Sequence, residues 1–75
     1  MIKASDIQIG QTITAGYWFE RPFLGDDFAT ITGTVIKKLE CYNQVLVEVD
    51  MDKSENNSDR YVWVIIDKSI VSINN

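Results

Sequence analysis

Seventy-five residues, 45% hydrophobic and 24% charged, have the composition of one small folded domain, residues 1–75. Eleven Asp and Glu against seven Lys and Arg give a net charge of −4, which argues against a surface built for general phosphate binding. With no His and a lone Cys, a disulfide framework, a zinc finger and a His-based triad are excluded.

Residues 1–15 interleave polar and apolar side chains, without the apolar core of a signal peptide, and no segment reads as a membrane-spanning helix. The expectation is a cytoplasmic chain in which Cys41 is a reduced thiol and the Asn56-Asn57-Ser58 sequon is not used. Ile, Asn and Lys supply twenty residues and Ala three, a bias like that of AT-rich coding sequence in small bacteria and their phages.

Along the chain, apolar residues recur with the period of two that marks strands. Ile13, Ala15, Tyr17 and Phe19 share one face of a first strand. Ile31, Gly33, Val35 and Leu39 alternate with Thr30, Thr32, Thr34 and Lys38 in a second. Val45, Val47, Val49 and Met51 alternate with Leu46, Glu48 and Asp50 in a third. Val62, Val64 and Ile66 alternate with Tyr61, Trp63 and Ile65 in a fourth, and Ile70 to Ile73 is a short fifth. Between them lie a loop at 20–27 with the one Pro, a turn at 41–44, a polar hairpin loop at 52–59 and a turn at 67–69 that fits one 3₁₀ step. No sustained helical period and no internal repeat interrupts this order.

The predicted fold is all-β, with strands near 11–19, 28–40, 44–51, 60–66 and 70–73. Five short strands avoid long free edges best by closing into a small bent barrel. The order of elements resembles the SH3-like barrel superfamily. Phe28 to Val35, with its Gly33-x-Val35, is similar to the strand of KOW- and Tudor-type barrels, and Ile66 to Ile73 to the final turn and strand of SH3 domains. The Ala-Leu-Tyr-Asp-Tyr opening and the Pro of the last turn are missing, so recognition of proline motifs does not carry over. An OB-fold needs a helix between its third and fourth strands, and residues 52–59 are too short and polar for one.

Catalysis is not expected. No His serves as a general base, and Cys41 has only Lys37 and Lys38 nearby as cations. Nor is a metal expected. Asp50, Asp52, Ser54 and Asn56 have calcium-loop spacing, but Glu55 stands where the turn needs Gly and Tyr61 where a bidentate Glu belongs. No cofactor is implied.

Binding is the remaining class. With Val62, Val64 and Ile66 inward, Tyr61, Trp63 and Ile65 face out, and Trp18 points opposite to Tyr17 and Phe19. A bulge at Gly16 would reverse that last assignment, and Trp63 filling the core is the alternative for the fourth strand. Residues 48–59 hold Glu48, Asp50, Asp52, Glu55 and Asp59 against Lys53, which equals the whole net charge. The first expectation is therefore a non-enzymatic protein-binding module, an inhibitor or adaptor such as a small phage-encoded factor. It docks on a basic protein surface, such as one that holds nucleic acid, through Trp18, Tyr61, Trp63 and these acids. The second is a nucleic-acid- or ribosome-associated barrel using Trp18, Phe23 and Lys37-Lys38, for which the chain lacks a basic groove. The third is a structural domain that forms homodimers through the Tyr61–Ile65 face.

Overall fold

The computed structural model describes residues 2–74. It is all-β: five antiparallel strands form one sheet in the order β4-β3-β2-β1-β5. They are β1 (Thr12–Arg21), β2 (Gly25–Leu39), β3 (Gln44–Val49), β4 (Tyr61–Ile65) and β5 (Ser69–Ile73). Single 3₁₀ turns at Ala4–Asp6, Glu40–Tyr42, Met51–Lys53 and Ile66–Lys68 mark the connections. The last one carries the chain from β4 back to β5, which pairs with β1 from Tyr17–Ser69 to Ile13–Ile73.

The core follows the period of two. Ile13 and Ala15, Ala29, Ile31 and Val35, Val45, Val47 and Val49, and Val64 are all buried on one face. Each fully buried Val or Ile contributes roughly 1.5–3 kcal/mol relative to exposure. Gly33 belongs to the same row. A Cβ there would run into the carbonyl oxygen of Glu48 and the side chain of Val47, so this Gly allows β3 to close on β2.

Three boundaries differ from the sequence reading. The loop at 20–27 is mostly strand: β1 runs on to Arg21 and β2 starts at Gly25, so Pro22-Phe23-Leu24 alone makes the turn. The Arg21 guanidinium, 2.7 Å from the Asp27 carboxylate, ties the two strands beyond the point where composition suggested they end. Second, the β2–β3 register shifts between Val35 and Lys37. This bulge turns Leu39 out to solvent, contrary to its expected core placement, and brings half-buried Lys38 opposite buried Val45. The Lys38 ammonium donates to the Ile7 carbonyl at 2.7 Å and lies 3.4 Å from Glu40. Third, β3 stops at Val49, and Met51 is exposed in the 3₁₀ turn, because Asp50 caps that turn through the Asp52 N–H.

The polar loop after β3 is not a free hairpin tip. β3 pairs with β2 only from Gly33 onward, so the first half of β2 would have an open edge. The loop fills it. Asp50 N–H donates to Thr32 O, Thr32 N–H to Ser54 Oγ, Glu55 and Thr30 exchange two backbone bonds, and Asn56 Nδ2 donates to Phe28 O.

Residues 2–7, which the apolar pattern did not assign, close one end of the core through buried Ala4 and Ile7. Ala4 N–H donates to Asn43 Oδ1, Asn43 Nδ2 donates to Asp67, and Asn43 O accepts from Ile66 N–H. Asn43 sits at φ 53, a left-handed position that Asn tolerates.

Gly33→Ala forces β3 away from β2 and is expected to destabilise the fold by about 2 kcal/mol or more. Urea unfolding measures it; an unchanged midpoint refutes this account of the β2–β3 contact.

Candidate protein-binding surface

The two tryptophans are outside the core. Trp18 is 68% exposed, and Tyr61, Trp63 and Ile65 are exposed in a row along β4 while Val64 between them is buried. Trp18 keeps this side because β1 and β2 pair in unbroken register from Thr12 to Arg21, with no bulge at Gly16. Gly16 has a different role. Across the ladder, the Phe28 ring occupies the space that a Gly16 Cβ would need. Phe28 then meets Trp18 edge-on, centroids 5.0 Å apart, and supports one side of the indole.

Trp18 and Trp63 come from strands separated by β2 and β3 in the sheet order, yet both line one hollow of about 110 Å³. Tyr17, Val64, Ile65, Lys68 and Ser69 complete its wall. The sheet therefore curls enough to bring β4 towards β1. The charged side chain in this wall is Lys68.

The acidic residues are spread along a path and do not gather at that hollow. Glu48 stands across β3–β4 from Tyr61 and across β2–β3 from Thr34. Asp50 caps the Met51–Lys53 turn and lies 4.0 Å from the Lys53 ammonium. Asp52 is exposed beside it, and Glu55 is pinned to the β2 edge by its backbone. Asp59 belongs to a second hollow of about 220 Å³, lined by Tyr17, Phe19, Asn56, Asn57 and Ser58. Burial, and secondarily the Asp59 carboxylate, push the Tyr17 hydroxyl above its ordinary pKa. Thus the eight expected residues are dispersed: Trp18 with Trp63 at the first hollow, Glu48 with Tyr61 across β3–β4, Asp50, Asp52 and Glu55 along the loop, and Asp59 at the second hollow. Arg60 covers one face of Tyr61, 5.7 Å from the ring centroid, and partly offsets the acidic surroundings.

Sequence reasoning missed Phe28, Lys68 and Tyr17 as parts of this surface. Phe28 was legible in principle, since it shares the outward parity of Thr30, Thr32 and Thr34. Lys68 was not, because only the curl of the sheet brings it beside Trp63. Cys41 is exposed with a free thiol. Among the described residues no group of three or more Cys, Asp or Glu side chains is placed to hold a metal ion.

Compared with protein-family models, with curated proteins and with solved structures, the chain gives no match.

Asp27 reports on how firmly the β1–β2 hairpin is held. The Arg21 side chain first, then the Phe28 N–H and the Asn56 amide, hold its carboxyl below the ordinary aspartate range. A lowered folded pKa stabilises the fold above the unfolded value, and that contribution is lost as pH falls through the folded value. Arg21→Ala is expected to move the Asp27 titration back up, as read by carboxyl NMR; an unmoved titration means that Arg21 does not hold the hairpin.

Proposed function

We propose that this chain is a non-enzymatic protein-binding module of the SH3-like barrel type, which docks on a basic partner surface. Two features support the barrel reading: β5 returns to β1 through one 3₁₀ turn, and the sheet curls so that β1 and β4 share a hollow. The observation that carries the functional reading is the exposure together of Trp18, Tyr61, Trp63 and Ile65 on a 75-residue chain. Large aromatic side chains are the usual energetic anchors of protein interfaces, and contiguous exposed apolar surface on a small protein marks an interaction site.

Glu48, Asp50, Asp52, Glu55 and Asp59 give the partner its sign. They run from β3 along the β2 edge to the second hollow and favour an Arg-rich surface or one that otherwise holds nucleic acid. An inhibitor or adaptor that acts inside a cell, of the kind encoded by phages, has these properties. Direct nucleic-acid binding is the weaker reading. Of its two adjacent cations, Lys38 is engaged by the Ile7 carbonyl and Glu40, so the pair does not act together.

Affinity capture from lysate of a bacterial host, quantified by mass spectrometry, tests the reading. Trp63→Ala is expected to weaken capture of the specific partner roughly thirtyfold, the loss of about 2 kcal/mol typical of an aromatic anchor. Glu48→Lys with Asp50→Lys and Asp52→Lys is expected to weaken it further, most strongly at low salt. Circular dichroism confirms that the variants remain folded. A partner set that neither variant changes overturns the proposal.

A further inference from the structure

Residues 18–28 form a two-stranded ribbon that extends past the body of the sheet. β1 pairs with β5 only over Ile13–Tyr17, and β2 with β3 only over Gly33–Leu39, while β1 and β2 pair with each other out to Arg21 and Gly25. An isolated ribbon of this kind is marginal in water. It is fastened by the Trp18–Phe28 contact and the Asn56 bond to Phe28 O at its base and by the Arg21–Asp27 ion pair nearer the tip. Its tip is apolar and uncovered. Phe23 is 107% exposed, and Leu24 beside it is exposed as well.

Phe23 is also in the wrong conformation for its type. Leu24 N–H closes the turn on Arg21 O, with Pro22 second and Phe23 third, and Phe23 has φ 63. A type II turn assigns that third position to Gly or Asn. A bulky side chain held in left-handed backbone, with no contact inside its own chain, disfavours the folded monomer twice. Strain of this kind, observed directly, points to a contact outside the chain.

The chain carries a surface complementary to this tip. The Trp18–Trp63 hollow is apolar with Lys68 in its wall, and Lys68 is in no ion pair among the described residues. The tip is flanked by exposed Glu20 and Asp26, also in no ion pair among the described residues, while Asp27 is matched by Arg21. Glu20 and Asp26 face each other across the ribbon in register. These acids oppose insertion into an anionic lipid surface and favour a recess that holds a cation.

Spacing adds the symmetry. Trp18 and Phe23 lie on the same ribbon, with about 10 Å of extended strand from Trp18 to Arg21 and then the turn that carries Phe23. Two ribbons laid antiparallel about a two-fold axis bring each tip to the other's hollow at the same time, and such an assembly closes at two copies. We propose that two copies of this chain form a symmetric dimer in which Phe23 of each enters the Trp18–Trp63 hollow of the other and Lys68 faces Glu20 and Asp26. The dimer uses the hollow of the reading above but requires no other protein, so the two can fail separately.

Sedimentation equilibrium over a wide concentration range, with amide and indole NMR shifts recorded on dilution, tests the dimer. The expected result is reversible dimerisation with concentration-dependent shifts at Trp18, Trp63 and Phe23. Phe23→Gly removes the ring and relieves the left-handed strain, so it is expected to melt no lower than the parent while dimerising roughly tenfold or more weakly. Phe23→Asn, also compatible with that backbone, serves if the Gly variant folds poorly. Lys68→Glu weakens the dimer, and Asp26→Lys combined with Lys68→Glu restores it. A chain that stays monomeric at millimolar concentration, a dimer untouched by either Phe23 variant, or a double variant no better than the single one overturns the proposal. Phe23-dependent binding of the monomer to phosphatidylcholine vesicles overturns it too, and assigns the tip to lipid.

Discussion

β2 has fifteen residues and two edges, and the fold depends on how those edges are satisfied. β1 covers one edge from Gly25 to Thr34, and Gly10 and Gln11 take over at Val35. On the other, β3 has only six residues and reaches no further than Gly33. Buried backbone groups must find partners, so the remaining donors and acceptors of β2 recruit the segment that follows β3. Asp50, Ser54, Glu55 and Asn56 bond to Thr32, Thr30 and Phe28 in succession. The acidic loop is therefore laid along a strand edge by hydrogen-bond accounting, and its charges are presented from a fixed backbone. A loop tethered at this many points gives up less conformational freedom on binding than a free hairpin tip of the same composition.

At the opposite end, Asn43 joins separate parts of the chain. Its left-handed backbone reverses the chain between the Glu40–Tyr42 turn and β3, while its side chain joins the N-terminal segment to Asp67 and its carbonyl holds Ile66. Three stretches remote in sequence thus meet at one residue, next to the turn from β4 to β5. That junction holds the turn through which β4 leads into β5, the strand that pairs with β1. The aromatic surface is a consequence of the curl, so a flat sheet of the same strands would leave the two indoles unrelated.

Much of this was legible in the alternation of apolar residues. Ile13 with Ala15, the Val45-Val47-Val49 row and Val64 point where a period of two sends them, and so do the outward Trp18, Tyr61 and Trp63. What was not legible has physical reasons. The bulge after Val35 sits beside the close approach of Gly33 to β3, a tertiary contact with no local signature, and it reverses the facing of Leu39 and Lys38. The β1–β2 ribbon read as a loop because its polar run, Glu20-Arg21 and Asp26-Asp27, is stabilised by cross-strand pairing that only the register reveals. Residues 2–7 carry two buried side chains, Ala4 and Ile7, too few for a pattern. The five-strand all-β order was readable; the placement of Lys68 beside the aromatic hollow needed three dimensions.

Local rules and observed structure disagree most at Phe23 and agree best around Gly16, and the two positions are connected. Gly16 weakens a strand and leaves a gap on its outer face. The Phe28 ring fills that gap, and its edge then braces Trp18. An exposed indole held on one side by another ring has fewer rotamers to lose than one standing free, so its contribution to binding is less offset by ordering. The loop from β3 also reaches this region, through the Asn56 amide on Phe28 O and on the Asp27 carboxylate. Beyond the Arg21–Asp27 ion pair the ribbon continues unsupported to Phe23. The residues past that point carry exposed apolar surface and a strained turn that the isolated chain gains nothing by keeping.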